Sequence, residues 1–231
     1  MTLFIKKLGM FLVLILISTI GFTQSKEDSV YTFLKTYDYE YIDLYVHKLS
    51  IQPTIEAQTK LIIKPFKKDF EKVRAIYIWV SYFITYDHSY KITDAENTFK
   101  QRKGVCAGYA KLFNKMCSIA GLKCEYITGY ARGTGNDHSI SFNSGMYHAW
   151  NIVEINSCKY IVESTWASCT SEYEKYYLAD PKQMIQTHFP ENSEYQLLKT
   201  NVTAEFFINS PAYYRKYKSK PSLEPIYKRL T

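Results

Sequence analysis

The sequence predicts an α+β fold, a helical layer packed on an antiparallel sheet, and three observations predict it. Apolar residues recur with a helical period in two segments before Gly121. From Cys124 the period changes to that of strands. Two of those strands are separated by a turn dipeptide, Asn156-Ser157. Helices followed by consecutive strands argue α+β rather than alternating βαβ units.

The first element is a targeting segment. Lys6 and Lys7 precede an almost unbroken apolar run from Leu8 to Phe22. A positive start and about 15 apolar residues form a secretory signal peptide, whereas a spanning helix wants about 20. Gly21 and Thr23 are small enough to flank a cut before Gln24. Residues 1–23 are therefore expected to be removed. The mature chain, 24–231, is expected to be exported, periplasmic or secreted or held at the surface, with no stable membrane span.

Residues 29–49 carry a weaker helical pattern. Pro53 and Pro65 bracket what reads as a connecting region. From Asp69 the apolar positions Phe70, Val73, Tyr77, Val80 and Ile84 describe an amphipathic helix ending near Tyr86-Asp87. The next helix is sharper. Val105, Tyr109, Leu112, Phe113, Met116 and Ala120 form one stripe, with Gly104 before it and Gly121 as its stop. Cys106 thus lies in the first turn of a helix.

Residues 124–131 (CEYITGYA) read as a strand, and residues 133–145 as a polar loop rich in Gly and Asn. Residues 147–155 and 159–163 read as two strands of a hairpin. Beyond Trp166 the pattern weakens. No repeat or low-complexity tract is present, and one domain with a core over about residues 66–200 accounts for the length.

Composition excludes the non-globular classes: 46% of residues are hydrophobic and 22% charged. The 22 tyrosines suit a half-exposed core, or a surface that meets peptides or sugars. The net charge of +7 is partly local to the basic stretch from Tyr213 to Lys220. Without a nucleic-acid motif, that stretch reads as a solvated tail, and no nucleic-acid partner is expected. In an oxidising compartment the five cysteines permit disulfides. If Cys106 stays free, the other four allow two bridges in three connectivities. No close C-x-x-C pair supports a metal site.

A thiol at a helix start is poised for chemistry. Unpaired N–H groups there carry partial positive charge, which favours a thiolate and can bind an oxyanion. His148 is a candidate base on the first hairpin strand, with Trp150 on the same face. If residues 155 and 158 pair across a two-residue turn, Glu163 falls diagonal to His148, about 7–8 Å away and on the same face. An odd loop would turn it away. In such a set the His takes the thiol proton and the carboxylate orients the imidazole, which suits attack on a peptide or glutamine amide.

Residues 104–110 (GVCAGYA) resemble the nucleophile motif of the transglutaminase-like superfamily, residues 148–151 (HAWN) its histidine motif, and residues 162–166 (VESTW) its third motif. Ile84 to Asp87, residues 177–181 (YLADP), His188-Phe189-Pro190 and Gln196-Leu197-Leu198 resemble the branch of kyphoscoliosis peptidase, hillarin and cytokinesis proteins. The resemblance runs from about residue 70 to 200. It implies a papain/transglutaminase-like fold and a Cys106–His148–Glu163 triad. It also implies thiol acyl transfer on a peptide or protein substrate, with cell-envelope material within reach of an exported enzyme. Glu163 stands where the family usually has Asp. No calcium loop is seen, so no cofactor or metal is expected. Candidate oxyanion donors are the Cys106 backbone N–H, Tyr86 and Gln101. Candidate cleft residues are Tyr109, Trp150 and Trp166. The alternative function is a catalytically inactive module that binds protein or polysaccharide.

Overall fold

The structure, a computed structural model, describes residues 28–132 and 146–209. The expected signal peptide, the 133–145 loop and the basic stretch from Tyr213 lie outside them. Among the described residues no helix is long and apolar enough to cross a membrane. The chain divides at Asp38 into two compact units. In the first, residues 28–36 are helical. Everything below concerns the second.

Helix α1 (Glu40–His47) buries Ile42 and Val46 and carries its acids in the first turn and His47 in the last, in line with the helix dipole. Helix α2 (Ile55–Ile63) occupies the region bracketed by Pro53 and Pro65, which the sequence pattern reads only as a connection. Two local devices make it a helix. Thr54 Oγ1 caps it by accepting from Ala57 N–H at 3.1 Å, and Glu56 pairs with Lys60 one turn on. Helix α3 (Asp69–Phe83) matches its expected span closely and buries Phe70, Val73, Ile76, Tyr77, Trp79 and Val80. A helix buried on most of its faces is the centre of its layer.

After α3 the chain forms β1 (Thr85–Tyr86), α4 (Ala95–Gln101) and β2 (Lys103–Gly104). Strands β1 and β2 pair in parallel, Tyr86 opposite Gly104. Helix α5 (Cys106–Ile119) follows at once. It is closed by Gly121 at φ +71°, a left-handed stop that glycine adopts without strain. Strand β3 (Cys124–Ala131) then pairs antiparallel with β4 (Met146–Ile155), and β4 with β5 (Cys158–Val162). Ile155 opposes Cys158 across Asn156 and Ser157, both at positive φ, the two-residue turn that the hairpin register requires.

The chain continues through α6 (Ser164–Thr170), α7 (Tyr173–Tyr176) and α8 (Pro181–Met184). Strand β6 (His188–Pro190) returns to the free edge of β3 and completes the sheet order β5-β4-β3-β6. A 3-10 turn (Ser193–Gln196) and α9 (Ala204–Asn209) end the described chain. Helix α5 packs on β3 and β4 and also against α3, α4 and α6, so the helix that bears Cys106 joins both layers.

Arg74 ties the helices together. It is 1% exposed, and its guanidinium donates to both Asp43 oxygens, at 2.9 and 2.6 Å, and to Glu174. The rings of Tyr39 and Tyr177 lie 4.9 Å from it. These partners offset the cost of burying the cation, although its Nη1 is buried without a hydrogen-bond partner among the described residues.

Candidate active site

The position of Cys106 is fixed by the turn before it. Thr85 N–H donates to Arg102 O at 2.9 Å, Asp87 N–H to Gly104 O at 3.0 Å, and Val105 N–H to Ile92 O at 2.9 Å. Asp87 holds the other side of this clamp. Its carboxylate accepts from Ser89 Oγ and from the backbone N–H groups of Ser89, Lys91 and Ile92, at 2.7–3.0 Å. These donors keep Asp87 ionised far below the usual carboxylate range. Two glycines then let α4 press against the start of α5. A Cβ at Gly108 would lie 2.3 Å from Thr98 Oγ1 and 3.0 Å from Ile92 O, and one at Gly104 would also meet Thr98.

His148 comes from β4. Neighbouring Asn151 donates through Nδ2 to Ala110 O of α5 at 3.1 Å, which fixes β4 against the cysteine helix. Glu163 does not continue β5, which ends at Val162, as the sequence reading extends it. It is the N-cap of α6. Its Oε1 accepts from Thr165 N–H at 2.7 Å and Trp166 N–H at 3.2 Å. Its Oε2 lies 2.5 Å from His148 Nε2. Cys106 lies on the other side of the imidazole, where the His148 charge and the Ala149 backbone N–H both favour its thiolate.

The three ionisations follow from this order. Burial opposes charge on Cys106, but the His148 charge and hydrogen bond and the Ala149 N–H outweigh it, and the thiol pKa falls below its ordinary value. Burial pulls His148 down, yet Glu163 and Cys106 on its two sides push it up to about 10. Burial alone would raise Glu163, but the two histidines hold it well below the usual range. The groups suit a thiolate–imidazolium pair backed by a carboxylate.

The second histidine is one to which sequence reasoning gave no role. His188 Nε2 lies 3.3 Å from the same Glu163 Oε2, and its Nδ1 lies 2.8 Å from Thr187 Oγ1. It belonged to a short motif in the family resemblance, but its contact with Glu163 is non-local and leaves no trace in spacing. His148, Glu163 and His188 also form a set that could hold a metal ion, with one ligand atom of each within 4.8 Å of the others. All three are buried and already joined to one another by hydrogen bonds.

The three expected cleft residues are buried. Tyr109 is fully buried, its hydroxyl donating to Ile84 O at 2.7 Å. Trp150 and Trp166 are 2% and 4% exposed and pack their rings about the two histidines. Trp166 also borders a cavity of about 380 Å³ together with Tyr176, Gln186 and Thr187. These aromatics are walls that pack on the two histidines and keep water from the pair. Tyr86 lies near the thiol: after burial, charge on Cys106 is the strongest influence raising its phenol pKa. Gln101 is exposed at the end of α4 and joins none of the hydrogen bonds described for the site. All five cysteines are thiols in this structure, and burial beside Cys124 pushes the Cys117 thiol pKa up.

Comparison with known proteins follows the same lines. Residues 56–171 match the family model of the transglutaminase-like superfamily. The human kyphoscoliosis peptidase is 32% identical over 204 residues, 80% of this chain and 30% of that protein. Hillarin of Drosophila melanogaster is 25% identical over 185 residues, 69% of this chain and 23% of that protein. The chain thus spans less than a third of the length of these curated relatives. Among solved structures, a candidate cysteine protease from Cytophaga hutchinsonii is similar at 24% identity and a TM-score of 0.39, covering 56% of this chain and 43% of that one.

Proposed function

The chain belongs to the transglutaminase-like superfamily, and on that premise we propose that it is an exported cysteine-dependent acyl-transfer enzyme acting on peptide or amide bonds. The observation that carries the proposal is His148 held between the Cys106 thiol and the Glu163 carboxylate.

In this reading the Cys106 thiolate attacks the carbonyl carbon of a peptide or glutamine amide. The tetrahedral oxyanion is met by the N–H groups at the start of α5, with the Tyr86 hydroxyl as a second candidate donor. As the C–N bond breaks, imidazolium His148 gives its proton to the leaving amine or ammonia. The acyl group remains as a thioester on Cys106. Water or an amine then attacks the thioester, His148 takes the attacking group's proton, and the thiolate departs. Glu163 stays ionised throughout and orients the ring. Hydrolysis and transfer share every step up to the thioester.

The substrate class is a peptide or protein, with envelope proteins or peptides the ones an exported enzyme meets. Export rests on the form of residues 1–23. The competing reading is an inactive module that binds protein or polysaccharide; His148 held against both Cys106 and Glu163 favours the enzyme.

Hydroxylamine trapping tests the proposal. Incubation with glutamine-rich protein and hydroxylamine is expected to yield protein hydroxamate, and Cys106→Ala to yield none. Equal product from Cys106→Ala, or no product and no acyl adduct on Cys106 with any peptide amide in a broad library, contradicts it.

A further inference from the structure

We propose that His188 is a positioning residue that acts through Glu163, holding the carboxylate in line with His148 as a neutral hydrogen-bond donor. The proposal rests on the Cys106–His148 reading above.

The sheet is built to bring the two imidazoles together. His148 lies on β4 and His188 on β6, on opposite sides of β3. Gly129 of β3 is the cross-strand partner of both His148 and Pro190, and Ala131 is the partner of His188. Small residues at these two positions leave the space above β3 open. A Cβ at Gly129 would come within 2.6 Å of the Trp150 ring and 2.2 Å of Phe189 O. The histidine rings meet across this gap with centroids 5.2 Å apart. Trp166 lies 4.4 Å from the His188 ring and Trp150 5.3 Å, so apolar surface closes around the pair.

Two imidazoles share one carboxylate, and their outer partners differ. The outer side of His148 faces a thiol that can carry negative charge. The outer nitrogen of His188 faces a hydroxyl, Thr187 Oγ1. Two imidazolium rings at this separation would repel in a buried setting, with only one carboxylate between them. The thiolate decides which ring keeps the extra proton. His148 keeps it, and His188 stays neutral, its pKa drawn down to about 4 by burial against the pull of Glu163. An ionised Glu163 can only accept, so the 3.3 Å contact puts the proton of a neutral His188 on Nε2 and leaves Nδ1 as an acceptor facing Thr187 Oγ1, whose hydroxyl also lies 3.3 Å from Met184 O. With the two N–H groups of α6 on Oε1, the Nε2–H of His188 completes the shell of the carboxylate and holds its free charge toward His148.

The test uses the whole chain labelled with ¹⁵N-histidine, in wild type, His188→Phe, His188→Gln and Thr187→Val. Wild type is expected to show His188 as the neutral Nε2–H tautomer at neutral pH, and a far-downfield proton on His148 Nε2. In His188→Phe that resonance is expected to move upfield, and the pH midpoint of Cys106 alkylation to rise by about one unit, a tenfold slower reaction at acidic pH. His188→Gln, which keeps an N–H donor, is expected to recover part of both. Thr187→Val removes only the hydroxyl, and the Nε2–H tautomer is expected to persist because Glu163 still accepts from it. A charged His188 at neutral pH overturns the inference. So does a folded His188→Phe protein with the wild-type His148 resonance. If His188→Phe fails to fold, wild-type His188 found as the Nδ1–H tautomer overturns it. An ordinary Cys106 thiol in wild type would sink the enzymatic reading instead, while the His148 resonance still reports on His188.

Discussion

His148 Nε2 lies 2.5 Å from Glu163 Oε2, and Glu163 makes this contact while its other oxygen caps α6. One carboxylate thus anchors a helix and orients an imidazole. The longer side chain suits both roles, because from a cap position it spans the helix end and reaches the neighbouring strand. A carboxamide has only one acceptor oxygen, so Glu163→Gln must abandon either the cap or the histidines. Loss of about 1–3 kcal/mol of stability is expected in urea unfolding, from buried donors left unpaired. The alkylation midpoint of Cys106 is expected to rise with it, because the imidazolium loses its counter-charge. Glu163→Asp is expected to keep the charge but not both contacts, lowering acyl-transfer rates on the order of tenfold or more, about 1.4 kcal/mol of barrier.

Gly108 is required by packing. A methyl group there meets Thr98 Oγ1 and the Ile92 carbonyl. Gly108→Ala is expected to cost about 1–3 kcal/mol, as overpacking does. The double variant Gly108→Ala/Thr98→Ala is expected to recover part of that loss, which thermal or urea unfolding of the four proteins in the cycle measures directly.

Arg74 holds α1 and α7 to α3 through Asp43 and Glu174. Arg74→Ala is expected to destabilise the protein by about 3–5 kcal/mol, the range for breaking a buried charge set from one side. Most of that should come from Asp43, since Glu174 is largely exposed and can turn to water. Comparing Asp43→Ala with Glu174→Ala by urea unfolding checks the order.

The two histidines give stability opposite pH dependences. The folded pKa of His188 lies near 4, below its ordinary value of about 6.5. As pH falls through this window the unfolded chain takes up the proton first, so stability falls. His148 is raised to about 10. Its contribution is complete below about pH 6.5 and is lost as pH rises toward 10. Glu163 contributes above about pH 4.3 and loses its effect only in strong acid. His188→Gln is expected to flatten the fall in urea midpoint between pH 6.5 and 4 and leave the alkaline limb unchanged. A wild-type acid slope in that variant would contradict this assignment.

Much of this was legible in the sequence where periodicity is strong. Helices α3 and α5, strands β3 to β5 and the two-residue turn follow from apolar spacing and from Asn156-Ser157. The parity of that turn put Glu163 on the His148 side by carrying β5 through residue 163, whereas β5 ends at Val162 and the carboxylate reaches His148 from the cap of α6. Short helices were not legible. Helix α2 depends on Thr54 and one ion pair, and α6 on a cap supplied by Glu163 itself, which a strand pattern absorbs. The aromatic residues near the motifs read as cleft surface, because a sequence does not distinguish a ring that packs on a histidine from one that faces solvent. His188 stayed without a role because β6 reaches the site by crossing back to β3, a long-range pairing with no local signature.

The proposed chemistry turns on His148 and Glu163 making Cys106 a thiolate. The pH dependence of iodoacetamide alkylation at Cys106, read by peptide mass spectrometry in wild type and His148→Ala, reports that state. Alkylation is expected well below pH 8 in wild type, with a midpoint near the free-thiol value of about 8.5 in the variant. A wild-type midpoint near that same value, unchanged by His148→Ala, would show that no thiolate–imidazolium pair exists.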